Sequence, residues 1–287
     1  MKQQKPVKLV ECPRDAMQGM HDFIPTDIKA SYINLLLKVG FDTIDFGSFV
    51  SPKAIPQLQD TAEVLARLNL DHTSSKLLAI VANLRGAATA SMYEEISYLG
   101  FPFSISETFQ QRNTNSSIAQ SVDTVKQLLE LSDKNNKTAV IYLSMGFGNP
   151  YGDEWNAEIV EQWADQLVGH GARILALSDT TGVSSPEKIK AILPGLLKRY
   201  EDVEIGLHLH STPNTRNEKI QAAYESGCRR FDSALKGFGG CPMATDDLTG
   251  NMATEDLIGY LQAKNEPLGL NMDYWQEAVA YSSKVFL

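Results

Sequence analysis

Short apolar segments rich in β-branched residues recur eight times along the chain, and longer stretches with helical spacing separate them. Eight β-then-α units with short connections favour an α/β fold, a closed TIM (β/α)8 barrel, over an open doubly wound sheet. The open sheet stays as an alternative, because no local pattern shows closure. The predicted strands are 7–12, 41–46, 76–82, 101–106, 138–144, 173–178, 203–210 and 229–234.

Helix signals support the same division. Gly40, Gly171 and Gly227 follow helical stretches as C-terminal caps, and Ser185-Pro186 has the pattern of an N-cap followed by proline at the first helical position. No linker or low-complexity stretch interrupts the 287 residues, so a single domain over residues 1–287 is predicted. The predicted helices include 26–39, 118–131, 157–169 and 186–200, with one or two more after Glu255.

Composition excludes several classes of partner. Lys and Arg total 26 against 35 Asp and Glu, a formal charge of −9, which argues against nucleic acid or an anionic membrane. No apolar run is long enough to span a bilayer, and the first ten residues lack the apolar core of a signal peptide. The three cysteines are too few and too scattered for a disulfide framework, so a reducing, cytoplasmic location is expected. They are Cys12, Cys228 and Cys241.

The sharpest local signal is His208-Leu209-His210 at the end of the seventh predicted strand. Strand side chains alternate in direction, so both imidazoles point to the same face. Two imidazoles at the C-terminal end of a barrel strand can form half of a divalent-metal site. A pair of histidines hydrogen-bonded inside the barrel explains the motif equally well on its own.

Two oxygen donors are expected at the same rim. Asp15 follows the first strand, and Asn251 lies in the loop after the eighth. Strands 1, 7 and 8 are contiguous in a closed barrel, so the loops that follow them converge. An aspartate, two histidines and an asparagine carbonyl suit Mg²⁺ or Mn²⁺. Zinc is less favoured, because neither a thiolate nor a third imidazole is among the candidates.

Four further residues have both a chemical and a structural interpretation. The planar fork of Arg14 can bind a substrate carbonyl or carboxylate, or form a salt bridge at the rim. Cys241, after a glycine-rich segment, is either an acid–base thiol on a mobile loop or a small apolar residue in a turn. Asp45 and Asp179 follow strands 2 and 6, where each can orient a ligand or cap the next helix. The GFGG segment has the wrong context for a dinucleotide fingerprint.

These residues, in this order, resemble the hydroxymethylglutaryl-CoA lyase family, metal-dependent TIM-barrel lyases with an N-terminal R-D signature. The resemblance covers roughly residues 7 to 261, and the lyases match better than the related condensing enzymes. The matching segments are PRDAMQ at 13–18, SFVSPKAIPQ at 48–57, LSDTTGVSSP at 177–186, HLH at 208–210 and GFGGCPMATDDLTGNMATEDL at 237–257.

The resemblance implies a retro-Claisen cleavage of 3-hydroxy-3-methylglutaryl-CoA to acetyl-CoA and acetoacetate, with Mg²⁺ or Mn²⁺. It implies that Arg14 steadies the thioester enolate and that Cys241 is an acid or base on its loop; His208 or Asp15 is nominated to take the hydroxyl proton. The implied metal ligands are Asp15, His208, His210 and Asn251. Residues expected to bind substrate or support the ligands are Gln18, Asp45, Ser48 and Asp179.

The chain also departs from the family pattern. One residue is missing before Pro13, Asp45 stands where the family usually has glutamate, and Ser211 stands where aspartate is common. The spacing from Cys241 to Asn251 is one residue longer. These changes spare the metal ligands and the cysteine, and they fall where the walls of a substrate pocket are expected.

Three hypotheses follow, in this order of preference. The first is the lyase. The second is a condensing enzyme that joins acetyl-CoA to a 2-oxo acid, which the chain length disfavours. The third is a barrel that binds a metal or a CoA ester without catalysis. An acyl-CoA is the expected small-molecule partner, and the amphipathic tail over 272–286 suggests a homodimer.

Overall fold

Eight parallel strands close into a barrel in the computed structural model, which describes residues 5–240 and 249–286. The strands pair in chain order and β8 pairs with β1, so the predicted closure is confirmed and the open sheet is excluded. The strands are β1 Lys8–Glu11, β2 Thr43–Ser48, β3 Lys76–Ile80, β4 Ile96–Ser104, β5 Thr138–Ser144, β6 Ile174–Ser178, β7 Glu204–His208 and β8 Arg230–Ser233.

Helices follow the strands and cover the barrel. Two of them, α2 and α7, begin and end where helical spacing predicted. Of the one or two helices expected after Glu255, two are present, and the first begins slightly earlier, at Thr254. The helices are α1 Pro13–Gln18, α2 Thr26–Val39, α3 Thr61–Leu65, α4 Leu84–Ser91, α5 Glu107–Thr114, α6 Ile118–Lys134, α7 Ala157–Gly169, α8 Pro186–Arg199, α9 Arg216–Glu225, α10 Thr254–Ala263 and α11 Met272–Tyr281.

The predicted helix ends are also observed. Gly40 has a φ of 88° directly after α2, a backbone conformation that glycine adopts without steric cost. Gly171 and Gly227 have positive φ just beyond α7 and α9. At the start of α8 the Ser185 side chain accepts a hydrogen bond from the Lys188 amide.

The start of β4 was predicted wrongly. The strand begins at Ile96, five residues before the predicted start at Phe101. The polar residue Ser97 and the glycine at position 100 interrupt the apolar run there, so the local pattern does not indicate a strand. Pairing decides the outcome instead, because Tyr98 lies opposite Thr138 of β5 and Leu78 of β3.

The interior of the barrel has two different halves. Strands β3 to β6 contribute a mainly apolar lining, here called the apolar half: Leu78, Tyr98, Val140, Tyr142, Ile174 and Ala176. The strands opposite contribute buried or partly buried ionisable side chains, here called the charged half: Asp45, Glu204, His208, Arg230 and Asp232. The alternate residues of β7 and β8 pack outward against the helices, as Leu207 and Phe231 do.

The C-terminal segment packs against its own barrel. Trp275 of α11 meets Phe41 edge-on at 6.0 Å between ring centroids. Phe286 meets Tyr32 edge-on at 5.8 Å and stacks on Phe238 at 4.4 Å. These apolar residues of the tail therefore face the same chain, and the homodimer that the tail suggested stays a prediction. No helix within the described part of the chain is long and apolar enough to cross a membrane.

Candidate metal and substrate site

The two histidines of the H-x-H motif lie together at the C-terminal end of β7. Their rings are 5.3 Å apart between centroids, and both side chains are buried. The regular strand ends at His208, and His210 forms an isolated antiparallel bridge with Asn251. The expectation that both imidazoles share one face is therefore confirmed. His210 keeps this direction although it lies two residues beyond the end of the regular strand.

Asp15 and Asn251 converge on this pair. One ligand atom each from Asp15, His208 and His210 lies within 4.8 Å of the others. The Asn251 amide nitrogen donates to Asp15 Oδ2 at 2.6 Å and to the Phe238 carbonyl at 2.9 Å. The short helix α1, which the sequence pattern did not predict, carries Asp15 directly above β1. The ends of strands 1, 7 and 8 thus meet as a closed barrel requires.

This donor set fits a divalent cation. Burial alone would raise the pKa of Asp15, but the charges of Arg14, His208 and His210 and the hydrogen bond from Asn251 lower it to about 2. Burial and the neighbouring His208 lower the pKa of His210 to about 4. A carboxylate and a neutral imidazole are the forms that bind metal. The Nδ1 atom of His210 is buried without a hydrogen-bond partner in the described residues, as expected of a ligand group.

Two carboxylates hold Arg14 in one orientation. Its Nε and Nη2 atoms donate to Asp45, with Nη2 2.5 Å from Oδ2, and its Nη1 atom donates to Asp15 at 2.7 Å and to Gln18 at 2.9 Å. A guanidinium has five N–H donors, and these contacts use four of them. The remaining Nη2 hydrogen is available to a ligand in the cavity that Arg14 lines.

Asp45 is more deeply buried than the three residues Asp15, His208 and His210. Burial raises its pKa to about 6, although Arg14 opposes that shift. Its role is to fix Arg14 through three hydrogen bonds. The alternative that Asp45 caps a helix is wrong, because its side chain is fully engaged with the guanidinium.

A cavity of about 420 Å³ opens beside the cluster at the C-terminal end of the strands. Gln18 and Ser48 line it, together with both histidines. Its far wall comes from the end of α5 and the loop after β2, and these residues were not predicted: Val50, Ser51, Ala54, Ile55, Arg112, Asn113, Thr114 and Asn115.

Asp179 reaches the site indirectly. It forms a buried ion pair with Lys219 at 3.0 Å, and Lys219 also donates to the His210 carbonyl at 2.8 Å. The alternative that Asp179 caps the next helix is wrong, because Ser185 caps α8. Asp179 instead fixes the backbone that carries His210.

Asp232, Lys219 and Tyr142 are site residues that sequence reasoning missed. Asp232 Oδ2 lies 3.3 Å from His208 Nδ1, and the Tyr142 ring meets the His208 ring edge-on at 5.7 Å. Burial lowers the pKa of His208, whereas the hydrogen bond to Asp232 and the charges of Asp15 and Asp232 raise it. Together these raising effects exceed the effect of burial, so the pKa is higher than that of a free histidine. The available signal for Asp232 was an acidic residue on β8 beside the H-x-H strand.

Two further positions singled out in the sequence bear on the site: Ser211, which departs from the family pattern, and Cys241, which matches it. Ser211 is buried, and its hydroxyl lies 3.5 Å from the backbone carbonyl oxygen of Asn251. The side chain therefore faces the β-bridge between His210 and Asn251 rather than the cavity. Cys241 lies outside the residues that the structure describes, and its predicted role stays a prediction.

The fold and the site together define a class: a (β/α)8 barrel with an Asp–His–His cluster able to hold a metal ion at the C-terminal end of its strands. A family model described as HMGL-like matches residues 7–281. The chain belongs to the HMGL-like family.

Named relatives agree with this assignment. The human cytoplasmic 3-hydroxy-3-methylglutaryl-CoA lyase is 34% identical over 275 residues, which cover 95% of this chain and 73% of the human protein. The Bacillus subtilis hydroxymethylglutaryl-CoA lyase YngG is 34% identical over 250 residues, covering 87% of this chain and 83% of YngG. The family resemblance read from the motifs is confirmed.

Solved structures show the same similarity. A Bacillus subtilis HMG-CoA lyase matches with a TM-score of 0.91 at 32% identity, over 99% of this chain and 95% of that chain. An Acinetobacter baumannii HMG-CoA lyase, solved in complex with coenzyme A and 3-methylmalate, has a TM-score of 0.88 at 32% identity, over 98% and 91% of the two chains.

Proposed function

We propose that this protein is a carbon–carbon lyase that cleaves 3-hydroxy-3-methylglutaryl-CoA to acetyl-CoA and acetoacetate. One observation carries the proposal: Arg14, Asp15 and both histidines of the H-x-H motif line one cavity at the C-terminal end of a barrel of the HMGL-like family. The names of the human and Bacillus subtilis relatives supply the substrate. The coenzyme A in the Acinetobacter baumannii structure supports an acyl-CoA ligand.

Mg²⁺ or Mn²⁺ is the proposed cofactor. The residues that would hold it are Asp15, His208, His210 and Asn251, a set of hard and borderline donors. When bound, the cation supplies Lewis-acid chemistry that lowers the pKa of a coordinated hydroxyl.

Arg14 is the proposed partner of the thioester oxygen. Cleavage of the C2–C3 bond leaves an electron pair on C2 that the thioester carbonyl must accept. The free Nη2 hydrogen of Arg14 belongs to a guanidinium that Asp15 and Asp45 hold rigidly, so it can donate to that oxygen without reorganisation.

Proton transfers complete the proposal. His208 or Asp15 is nominated to take the proton of the tertiary hydroxyl, and Cys241 to protonate C2 of the enolate. Gln18 and Ser48, which line the cavity, are proposed to contact the substrate. The cytoplasm is the proposed location, in line with the names of the human and rat relatives.

The test is direct measurement of acetyl-CoA and acetoacetate from 3-hydroxy-3-methylglutaryl-CoA, with Mg²⁺ or Mn²⁺ and then with excess chelator. Chelator-sensitive formation of both products is expected. Release of free CoA from acetyl-CoA and a 2-oxo acid, without cleavage, would favour the condensing enzyme instead. Ligand binding without turnover in either metal would overturn the catalytic proposal.

A further inference from the structure

Four ionisable residues face the charged half from two neighbouring strands. Glu204 and His208 lie on β7, and Arg230 and Asp232 lie on β8. Each pair is separated by an even number of residues, so all four side chains point into the barrel. The register pairs His208 with Asp232, which places Arg230 one step lower, beside Gly206.

At the upper end, Asp232 contacts the ring of His208. Its Oδ2 atom lies 3.3 Å from His208 Nδ1, and the aspartate is 2% exposed. With the carboxylate as acceptor, this contact places a proton on Nδ1 and leaves Nε2 with the lone pair that a cation or a proton can take. The other oxygen, Oδ1, has no hydrogen-bond partner in the described residues and lies 4.0 Å from Arg230 Nε.

At the lower end, the line of charges continues to the surface. Arg230 is 1% exposed, and its Nη1 atom donates to Glu204 at 2.9 Å. Glu204 also pairs with Lys8, and both of these side chains are partly exposed at the N-terminal end of the barrel. The sequence of contacts from His208 through Asp232, Arg230 and Glu204 to Lys8 therefore crosses the whole interior.

The residues around Arg230 leave space for its long side chain inside the barrel. A Cβ atom at Gly206 would lie 2.8 Å from Arg230 Cδ, so only glycine leaves room for the side chain there. The Tyr98 ring lies 5.9 Å from the guanidinium carbon. The aliphatic part of Arg230 is thus placed against Gly206, and its charge lies close to a carboxylate that would otherwise be buried alone.

We propose that Arg230 and Asp232 are positioning residues for the metal site, with Arg230 holding the Asp232 carboxylate against His208 and Asp232 fixing the imidazole. The inference rests on the proposed metal-dependent function, because it concerns His208 as a ligand. Without Arg230, Asp232 is a buried carboxylate with no countercharge, which favours a rearrangement away from His208. Loss of such outer partners commonly weakens metal binding by about 10- to 100-fold.

The experiment compares Mn²⁺ dissociation constants, from electron paramagnetic resonance of free Mn²⁺, for the parent and three variants. Arg230→Met and Asp232→Asn are expected to bind Mn²⁺ about 10- to 100-fold more weakly. Arg229→Met is the matched control: this neighbouring arginine pairs with Glu266, and its variant is expected to bind like the parent. The ¹⁵N shifts of the imidazoles report the second effect, since Asp232→Asn is expected to change the His208 tautomer.

The outcomes separate the two proposals. Parent-like Mn²⁺ binding and an unchanged His208 tautomer in folded Asp232→Asn would overturn the inference. Because Asn has the same shape as Asp, this variant remains a valid test even if Arg230→Met does not fold. A parent protein that binds Mn²⁺ but leaves 3-hydroxy-3-methylglutaryl-CoA intact would overturn the proposed function alone. A parent that binds no Mn²⁺ would overturn the inference as well.

Discussion

The two halves of the barrel interior follow opposite rules. In the apolar half, Leu78, Val140 and Ile174 lose contact with water and need no specific partner. In the charged half, Arg230 and Asp232 are almost fully buried, and each depends on a neighbour of opposite charge. The comparison shows that the apolar half stabilises the barrel. Burial of charges in the other half costs part of that free energy, and these charges hold the site in place.

The largest expected effect comes from the site next to the charged half. Arg14→Met should lower kcat for cleavage by roughly 10²- to 10³-fold, because the fixed donor to the developing enolate is lost. Steady-state kinetics measures the change, and Lys76→Met, at the opposite end of the barrel beside Tyr98, is the control. Full activity of Arg14→Met would contradict the proposed role.

The apolar half should respond in the opposite way. Leu78→Ala removes a fully buried side chain and should lower the free energy of unfolding by about 2–4 kcal/mol. The kcat of the folded fraction should stay within about threefold of the parent, because small core changes away from the reacting atoms act on stability. Chemical denaturation and kinetics on the same sample test this. A loss of kcat as large as that of Arg14→Met would break the comparison.

Glu11 sharpens the comparison, because it is a buried acid that belongs to neither half. Burial raises its pKa to about 8, although hydrogen bonds from Thr254 and the Leu235 amide oppose the shift. The folded protein therefore holds this proton more tightly than the unfolded chain. The contribution of Glu11 to stability is fully present below pH 4.5 and is lost as the pH rises to about 8.

The Glu11→Gln variant should remove this dependence. Relative to the variant, the parent should lose at most about 2 kcal/mol of unfolding free energy between pH 6 and pH 7.5, since one pKa unit corresponds to about 1.4 kcal/mol. Urea denaturation at several pH values measures the difference. Parallel pH profiles for the two proteins would contradict the assignment.

The smallest effect is expected far from both halves. Ser185→Ala removes the N-cap of α8 and should destabilise the protein by about 1 kcal/mol. Turnover should be unchanged. A shift in the thermal midpoint with unaltered kcat is the expected result, and a change in kcat would show that α8 is coupled to the site.

Much of the site could be predicted because it depends on local periodicity and on closure of the barrel. Alternation along β7 places His208 and His210 on one face, and the adjacency of strands 1, 7 and 8 brings Asp15 and Asn251 to them. Helical spacing gave both ends of α2, a helix of 14 residues. By contrast, α1 has six residues, too few for a periodic pattern to appear.

The residues that were missed depend on distant partners. Lys219 meets Asp179 across 40 positions, and Asp232 meets His208 across 24. No local pattern reports such a pair, because strand register and helix placement decide which side chains meet. The two interpretations of Asp179 show the same limit: its position after a strand suits a cap, but Ser185 occupies that role.

The stacking of Phe286 on Phe238 has a practical consequence for handling this protein. Phe238 also offers its carbonyl to Asn251, so the last residues of the chain touch the segment that supports the metal-ligand cluster. Proteolytic trimming past Phe286, or a bulky fusion there, would disturb that segment.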